Sequence, residues 1–336
     1  MEKVQLLFDK RNKMIEHFVQ PLTGFFSLHR QNIISLSCDF NADITIPIPN
    51  TFAARINGQL LFFDVSDGSD NFLRDSHIEY LREHDIILYK RAYESSLYDR
   101  IPFIHSLGLN YFGDFTSLFH RASFLFGLRM FGFHRTMGLI YNHSDMDRRW
   151  SMRARRKNKP DEGILFCTRL WEQKDCSSPV DELNSLRIKA TMAIRNTFKD
   201  RAVAGVYDSA LARQMCPELI LPGTITKRKH YLELMNQSSV CITTTGLHRS
   251  TGWRFAEYVA AGKAIISEPL FFSPPGDLSV GKNYLTFNSA DSLLASVDHL
   301  LSHPRAIRDM EKENIDYYYR FLRPDVLVFN AIKDYL

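Results

Sequence analysis

The sequence lacks long hydrophobic runs and paired cysteine motifs. No segment reaches the roughly 18 apolar residues of a membrane-spanning helix, and the first residues contain no apolar signal-peptide core. The five cysteines are scattered without CxxC spacing, which indicates neither a zinc site nor a disulfide framework. Low-complexity tracts and internal repeats are also missing. We therefore expect a cytoplasmic globular protein with reduced cysteines.

The composition is that of a packed globular protein, with 45% apolar and 24% charged residues. A length of 336 residues suits two domains. Residues 148–159 read RRWSMRARRKNK, with seven Lys or Arg and no acidic residue. We place the domain boundary there and predict a first domain at 1–155 and a second at 162–322. Residues 323–336 are predicted as a closing helix that packs back on the first domain, with an ordinary terminal helix as the alternative.

Short apolar strands alternate with helices after residue 162. The predicted strands are 164–168, 202–206, 239–243 and 264–267, and the predicted helices are 179–199, 208–215, 229–236, 253–261, 290–302 and 305–320. Such alternation predicts a doubly wound α/β domain. The first domain is less regular, with predicted strands at 32–39, 43–47, 59–65 and 85–89 and a predicted helix at 71–83. We expect it to be a smaller, irregular Rossmann-like domain.

The segment Thr243–Glu268 carries the clearest functional pattern. A strand leads into a loop of hydroxylated residues and glycines, and the helix that follows holds Arg254 and Glu257 near its start. Free backbone N–H groups and the positive end of a helix dipole make such a loop a site for an anion, here a diphosphate. A carboxylate one turn into the helix suits the hydroxyls of a ribose. Gly262 is a natural residue to end this helix.

The string RFAEYVAAGKAIIS at 254–267 resembles a signature of group-1-like glycosyltransferases, including the CgeB-like branch and, more distantly, exostosin-like enzymes. The resemblance extends over 162–335. It implies an α/β fold of the GT-B type, in which two Rossmann-like domains face a cleft. It also implies a nucleotide-sugar donor, no obligatory metal, and a donor ribose bound by Glu257.

The resemblance assigns the donor diphosphate and sugar to basic residues and to the glycine-bearing loop. Arg169 and Lys174 follow the first strand of the second domain, where related enzymes clamp the diphosphate. Surface charge beside Trp171 is the alternative explanation for both. The other predicted contacts of the diphosphate and sugar are His248, Arg249, Ser250, Thr251, Gly252 and Arg254.

Arg249 stands where many retaining enzymes of this type carry a second Glu, so the sequence leaves inversion or retention of the sugar open. The segment Gly223–Lys227 matches a loop that often holds the nucleobase in these families. For Arg254 and Glu257 the alternative is an ordinary i,i+3 ion pair on a solvated helix face.

In the first domain, which the resemblance makes the acceptor side, an apolar strand ends in the acidic turn Asp64–Asp70. An inverting enzyme needs a base for the acceptor hydroxyl, and Asp67 is the candidate. Turn and helix-cap chemistry explain the same residues, Asp70 in particular. The turn contains no D-x-D, which disfavours a metal-dependent GT-A enzyme. Lys90 and Arg91 follow the next strand and are further candidates to face the cleft.

Residues 115–159 combine aromatic residues with histidines, arginines and the basic run. This mixture is typical of an interfacial helix at an anionic membrane, here its inner face, although a buried helix pair is the alternative. The membrane interpretation would suit a lipid-linked acceptor. Nucleic-acid binding through 148–159 is a further alternative, but no RNP-like or helix-turn-helix pattern accompanies the run, so we expect no nucleic-acid partner.

The sequence therefore predicts a metal-independent glycosyltransferase of polysaccharide biosynthesis that uses no cofactor. It would move a sugar from a nucleotide-sugar donor to a glycan or lipid-linked glycan. A hydrolase, an epimerase or a non-catalytic sugar-nucleotide-binding protein of the same fold are the alternatives.

Overall fold

The computed structural model describes residues 1–9, 16–40, 42–68, 73–111, 128, 163–175 and 179–336. The chain divides into two compact units. Unit 1 comprises Met1–Met152, Phe271–Gly276 and Tyr319–Leu336, and unit 2 comprises Arg153–Leu270 and Asp277–Tyr318. Each unit contains its own sheet and helices, which confirms the predicted α/β class with two Rossmann-like domains.

Two segments of the predicted second domain, 271–276 and 319–322, lie in unit 1. The proposed membrane-binding range 115–159 lies outside the described residues apart from Leu128, and so does Asp70. Over the part of the chain that is described, no helix combines the length and apolar character needed to cross a membrane.

The regular elements are numbered in chain order across both units. The strands are β1 (Glu2–Leu7), β2 (Ile34–Asp39), β3 (Thr51–Ile56), β4 (Gln59–Asp64), β5 (Ile86–Lys90), β6 (Ile104–Ser106), β7 (Gly163–Thr168), β8 (Ala202–Val206), β9 (Ser238–Thr243), β10 (Ala264–Ser267) and β11 (Leu285–Thr286). The helices are α1 (Val19–Arg30), α2 (Asp75–Glu83), α3 (Ser95–Tyr98), α4 (Asp181–Phe198), α5 (Ala210–Met215), α6 (Gly223–Thr226), α7 (Arg228–Gln237), α8 (Trp253–Ala260), α9 (Ala290–Ser302), α10 (Pro304–Tyr317) and α11 (Pro324–Ile332).

The sheet of unit 1 has the order β2-β1-β3-β4-β5-β6, and β3 runs antiparallel to both of its neighbours. The hairpin of β3 and β4 turns at Asn57 and Gly58, both of which have positive φ. A two-residue Asn-Gly turn with this geometry matches the right-handed twist of the strands. The predicted strand at 43–47 is wrong, because the N–H of Ile46 donates to the Asp9 carboxylate at 3.1 Å instead of joining a sheet.

The sheet of unit 2 is parallel and has the order β11-β10-β9-β7-β8. The chain moves from β7 outward to β8, crosses back to β9 on the other side of β7, and continues to β10 and β11. The direction of winding therefore reverses between β7 and β9. In doubly wound sheets, ligands bind outside the carboxyl ends of the strands at this switch point.

Helices cover both faces of the unit 2 sheet, and all six residues of β9 are buried. Helices α4 and α9 pack into one core cluster through Ala190, Ile194, Leu293 and Val297. Strands buried on both faces read as continuous apolar runs, which explains why the sequence revealed them. The predicted elements of this unit agree with the observed bounds to within a few residues.

In unit 1 the last helix packs closely on the first. A Cβ added at Gly24 of α1 would lie 2.2 Å from the Pro324 carbonyl oxygen and 2.5 Å from Cγ2 of Val328. The Gln20 side chain also donates to the Leu322 carbonyl at 3.0 Å. The glycine therefore permits backbone contact between α1 and α11.

We predict that Gly24→Ala destabilises the protein by about 1–3 kcal/mol, the usual range for overpacking a well-packed core. The methyl group meets backbone at Pro324, which cannot move aside as a flexible side chain would. Urea denaturation followed by circular dichroism measures the change.

The control for this prediction is Gly223→Ala, where an added Cβ meets nothing within 4 Å. Equal denaturation midpoints for the two variants would contradict the close packing of α1 on α11.

Candidate functional site

The candidate site lies at the carboxyl edge of the unit 2 sheet. Parallel strands end at the same edge, so the loops that follow β7, β9 and β10 meet there. These loops begin at Arg169, Thr244 and Glu268. The first two flank the switch point between β7 and β9.

Arg187 of α4 joins the two loops that flank the switch point. Its buried guanidinium donates from Nη1 to the Arg169 carbonyl at 2.5 Å and from Nη2 to the Thr245 carbonyl at 2.6 Å. Among the described residues, Nε of Arg187 has no hydrogen-bond partner. A planar, rigid guanidinium is well suited to hold two carbonyl oxygens at a fixed separation.

Asn184, one turn before Arg187, holds the loop after β7 at a second point, the backbone of Trp171. Its side chain accepts from the Trp171 N–H at 3.0 Å and donates to the Trp171 carbonyl at 2.8 Å. The exposed guanidinium of Arg169 lies 5.4 Å from the Trp171 ring. The predicted diphosphate ligand Arg169 is therefore both accessible and carried on a fixed backbone.

Glu268 holds the loop after β9. Its carboxylate accepts from the N–H of Thr245 at 2.8 Å and from the Thr245 hydroxyl at 3.2 Å. Burial lowers the pKa of Arg187 to about 10, the Glu268 carboxylate opposes this, and the Arg254 and Arg169 cations add to the lowering. The Arg169 and Arg254 cations therefore act on Arg187 at this edge of the sheet.

The glycine-bearing loop after β9 is partly closed by its own hydrogen bonds. The Gly246 N–H donates to the Ser250 carbonyl at 2.7 Å, and the Ser250 N–H donates to the Leu247 carbonyl at 3.0 Å. These two groups are therefore not available to an anion, contrary to the expectation of free N–H groups. Ser250 is buried, Thr251 is half-buried, and Gly252 directly precedes α8.

His248 and Arg249 adopt left-handed backbone angles, with φ of 56° and 59°. This conformation costs about 1–2 kcal/mol for each residue that is not glycine. Backbone strain of this kind clusters at ligand and active sites. Arg249 is exposed and His248 is half-buried, so both remain candidates for contact with a ligand.

Arg254 packs against β7 and two tyrosine rings. Its Nη1 donates to the Cys167 carbonyl of β7, and its guanidinium lies 4.8 Å from the Tyr207 ring and 5.6 Å from the Tyr231 ring. The half-buried side chain thus joins α8 to the end of β7. Direct contact with the diphosphate stays a prediction, and packing is the role that the contacts describe.

Glu257 is buried and pairs with Arg228, the first residue of α7. The two Nη–Oε distances are 2.7 Å and 3.1 Å. The interpretation of Arg254 and Glu257 as a solvated i,i+3 pair is therefore wrong. Lys174, in contrast, is 74% exposed and lies 2.5 Å from the Glu172 carboxylate.

In unit 1, the predicted residues at the ends of β4 and β5 form two ion pairs. Lys90 is fully buried, with Nζ 2.6 Å from the equally buried Asp64 carboxylate, so the prediction that Lys90 faces a cleft is wrong. Asp67 is 42% exposed and lies 3.3 Å from Nη2 of the buried Arg91.

His17 joins this cluster, although no sequence motif points to it. Its Nδ1 lies 3.2 Å from both the Val65 carbonyl oxygen and Nη1 of Arg91. Burial and the Arg91 cation lower the pKa of His17 to about 4, while Asp67 opposes the shift. His17 is therefore neutral near pH 7.

No family model matches the sequence, and no curated protein matches it. Among solved structures, sucrose-phosphate synthase from Thermosynechococcus elongatus shows 14% identity and a TM-score of 0.33 over 55% of this chain and 47% of its own. This chain thus spans less than half of that protein's length.

Two further solved structures are similar to the chain. The C-terminal domain of the group 1 family glycosyl transferase LpcC from Francisella tularensis shows 12% identity and a TM-score of 0.33, over 52% of this chain and 91% of its own. A putative UDP-N-acetylglucosamine 2-epimerase from Listeria monocytogenes shows 9% identity and a TM-score of 0.45, over 98% and 94%. These similarities are too weak to assign a function, which has to be inferred from the residues of the site.

In the ranges that the structure describes, no group of three or more His, Cys, Asp or Glu side chains is placed to hold a metal ion.

We predict that Arg187→Met costs roughly 1–3 kcal/mol of folding free energy, because the Arg169 and Thr245 carbonyls lose a donor. Amide hydrogen exchange should accelerate in both loops, 169–171 and 244–250. Denaturation and exchange measurements test this together.

Arg195→Met is the matched control, since Arg195 lies on the same helix but is exposed and donates to one carbonyl, that of Glu218. Unchanged exchange in Arg187→Met, or equal effects of the two substitutions, would contradict the role of Arg187.

A second prediction concerns pH. Because the pKa of His17 falls from 6.5 to about 4 on folding, the neutral form stabilises the fold above pH 6.5. This contribution is lost as the pH falls from 6.5 towards 4, by about 3 kcal/mol in total. The stability of His17→Gln should therefore depend less on pH in this window than that of the wild type.

Urea denaturation of both proteins at several pH values measures the difference. Parallel stability curves would show that His17 does not titrate in the expected way.

Proposed function

We propose that the protein is a glycosyltransferase that binds a nucleotide-sugar donor at the carboxyl edge of the unit 2 sheet. The observation that supports this most is the switch point between β7 and β9, where Arg187 holds the backbone of the loop that carries the exposed Arg169. A diphosphate suits such a site, since one guanidinium can donate two parallel hydrogen bonds to phosphate oxygens. The resemblance of 254–267 to glycosyltransferases points to the same ligand.

Arg169 is the residue that we propose for the diphosphate. Its guanidinium is exposed, while its carbonyl is held by Arg187 and its ring neighbour Trp171 is held by Asn184. The N-terminus of α8, after Gly252, adds the positive end of a helix dipole. When the bond between the anomeric carbon and the diphosphate breaks, negative charge grows on the diphosphate oxygens. Fixed positive groups stabilise that charge without reorganising.

For the acceptor we propose Asp67 of unit 1 as the base. Its carboxylate is 42% exposed, and the buried Arg91 holds it at 3.3 Å. In an inverting reaction the base takes the proton of the acceptor hydroxyl as that oxygen bonds to the anomeric carbon. A glycan acceptor, a lipid-linked acceptor at an anionic membrane, and independence of a metal belong to the same proposal.

The test begins with binding of UDP, GDP, ADP and CMP to the wild-type protein, measured by thermal shift and calorimetry. We expect one nucleoside diphosphate to bind, and Arg169→Ala to weaken its binding about tenfold to a hundredfold, the loss expected for hydrogen bonds to a charged group.

Arg213→Ala is the control, because Arg213 is an exposed arginine of the same unit that pairs with Asp208. Absence of binding by every nucleotide, or undiminished binding by Arg169→Ala, would contradict the proposal. Conversion of a sugar nucleotide without an acceptor would instead assign a hydrolase or an epimerase.

A further inference from the structure

Arg228 and Glu257 form an ion pair in which the cation, and not the carboxylate, meets solvent. Nη2 lies 2.7 Å from Oε1 and Nη1 lies 3.1 Å from Oε2, so both carboxylate oxygens of Glu257 face the guanidinium. The side chain of Glu257 is 3% exposed, whereas that of Arg228 is 21% exposed. A ligand that reaches this pair therefore touches Arg228 first.

Opening of the ion pair for a ribose is energetically unfavourable. Separation of a buried ion pair leaves a charge without its partner, which costs more than breaking an ordinary hydrogen bond. The hydrogen bonds of two ribose hydroxyls would have to offset that free energy, and each of them contributes only a modest net amount. The binding of a ligand to the outer edge of the intact pair requires no such separation.

Arg228 also has a suitable place in the fold. It is the first residue of α7 and directly follows 223–227, the segment matched to a nucleobase loop. Its guanidinium lies 5.8 Å from the Tyr231 ring, and Arg254 lies 5.6 Å from the same ring. One aromatic ring thus connects Arg228 with the residue that joins α8 to the end of β7.

We propose that Arg228, rather than Glu257, contacts the nucleoside part of the donor, and that Glu257 is a positioning residue that holds Arg228. This inference rests on the proposed function. The ligand group is an oxygen acceptor of the nucleoside, either a ribose hydroxyl or a carbonyl of the base. A guanidinium held from behind by a carboxylate presents a fixed donor edge to such an oxygen.

The probes are the nucleoside diphosphate that the wild type binds, its 2′-deoxy form, and inorganic pyrophosphate. Arg228→Gln should weaken binding of the nucleoside diphosphate about tenfold, the loss of one hydrogen bond to a charged group. Binding of pyrophosphate should not change, because it lacks the nucleoside. Lys229→Gln, which removes the neighbouring exposed cation, is the control and should leave both affinities unchanged.

The 2′-deoxy form identifies the contacted oxygen. If Arg228→Gln binds the nucleoside diphosphate and its 2′-deoxy form equally well, Arg228 contacts the ribose hydroxyl. If the variant binds both more weakly but still distinguishes them as the wild type does, Arg228 contacts the base. Either result supports the contact.

Glu257→Gln tests the positioning role. It should weaken binding of the nucleoside diphosphate less than Arg228→Gln does. In the Arg228→Gln background it should cause no further loss of affinity, since the effects of coupled residues are not additive. A larger, additive loss would overturn the inference and return the contact to Glu257.

Two outcomes separate this inference from the proposed function. If the wild type binds no nucleoside diphosphate, the proposed function itself fails. If the wild type binds one and Arg228→Gln binds it equally well, or loses thermal stability without any change in the affinity ratio of nucleoside diphosphate to pyrophosphate, the present inference alone is overturned.

Discussion

The candidate site depends on the hydrogen bonds of one buried guanidinium. Arg187 holds the carbonyls of Arg169 and Thr245, which belong to loops on either side of the switch point. A buried face with Asn184, Arg187 and Thr191, at helical spacing, is unusual for a helix that covers a sheet. Burying these polar groups carries a cost unless each is hydrogen-bonded. Here Arg187 and Asn184 use their hydrogen bonds to hold the loops at the edge of the sheet in place.

The other basic residues of unit 2 divide into those that support the fold and those that reach solvent. Lys263 is buried and donates to the carbonyls of Asn236 and Ser238, at the negative end of the α7 dipole. Arg254 is packed against tyrosine rings and a strand carbonyl. Arg169 is exposed on a backbone that others hold. The number of basic residues in the sequence therefore does not show how many of them are accessible to a ligand.

The sequence predicted unit 2 better than unit 1 because the signal there is local. Apolar runs alternate with helices, and strands such as β9 are buried on both faces, so length and apolar character identify them. In unit 1, β3 and β4 form a hairpin that the Asn57-Gly58 pair would have revealed, but no strand was predicted at β3. Strand β1 pairs with β2 and β3, which lie far along the chain. Pairing over such distances leaves little trace in a short window.

The site shows the same limit at the level of single side chains. The pattern of 239–267 correctly indicated a strand, a helix and a second strand. The partners of Arg254 and Glu257, however, are Cys167 and Arg228, which lie 87 and 29 residues away. A local motif shows where the chain turns, but exposure depends on which distant group covers a side chain. For Glu257 that group is Arg228, which is why the resemblance alone points to the carboxylate while the contacts favour the cation in front of it.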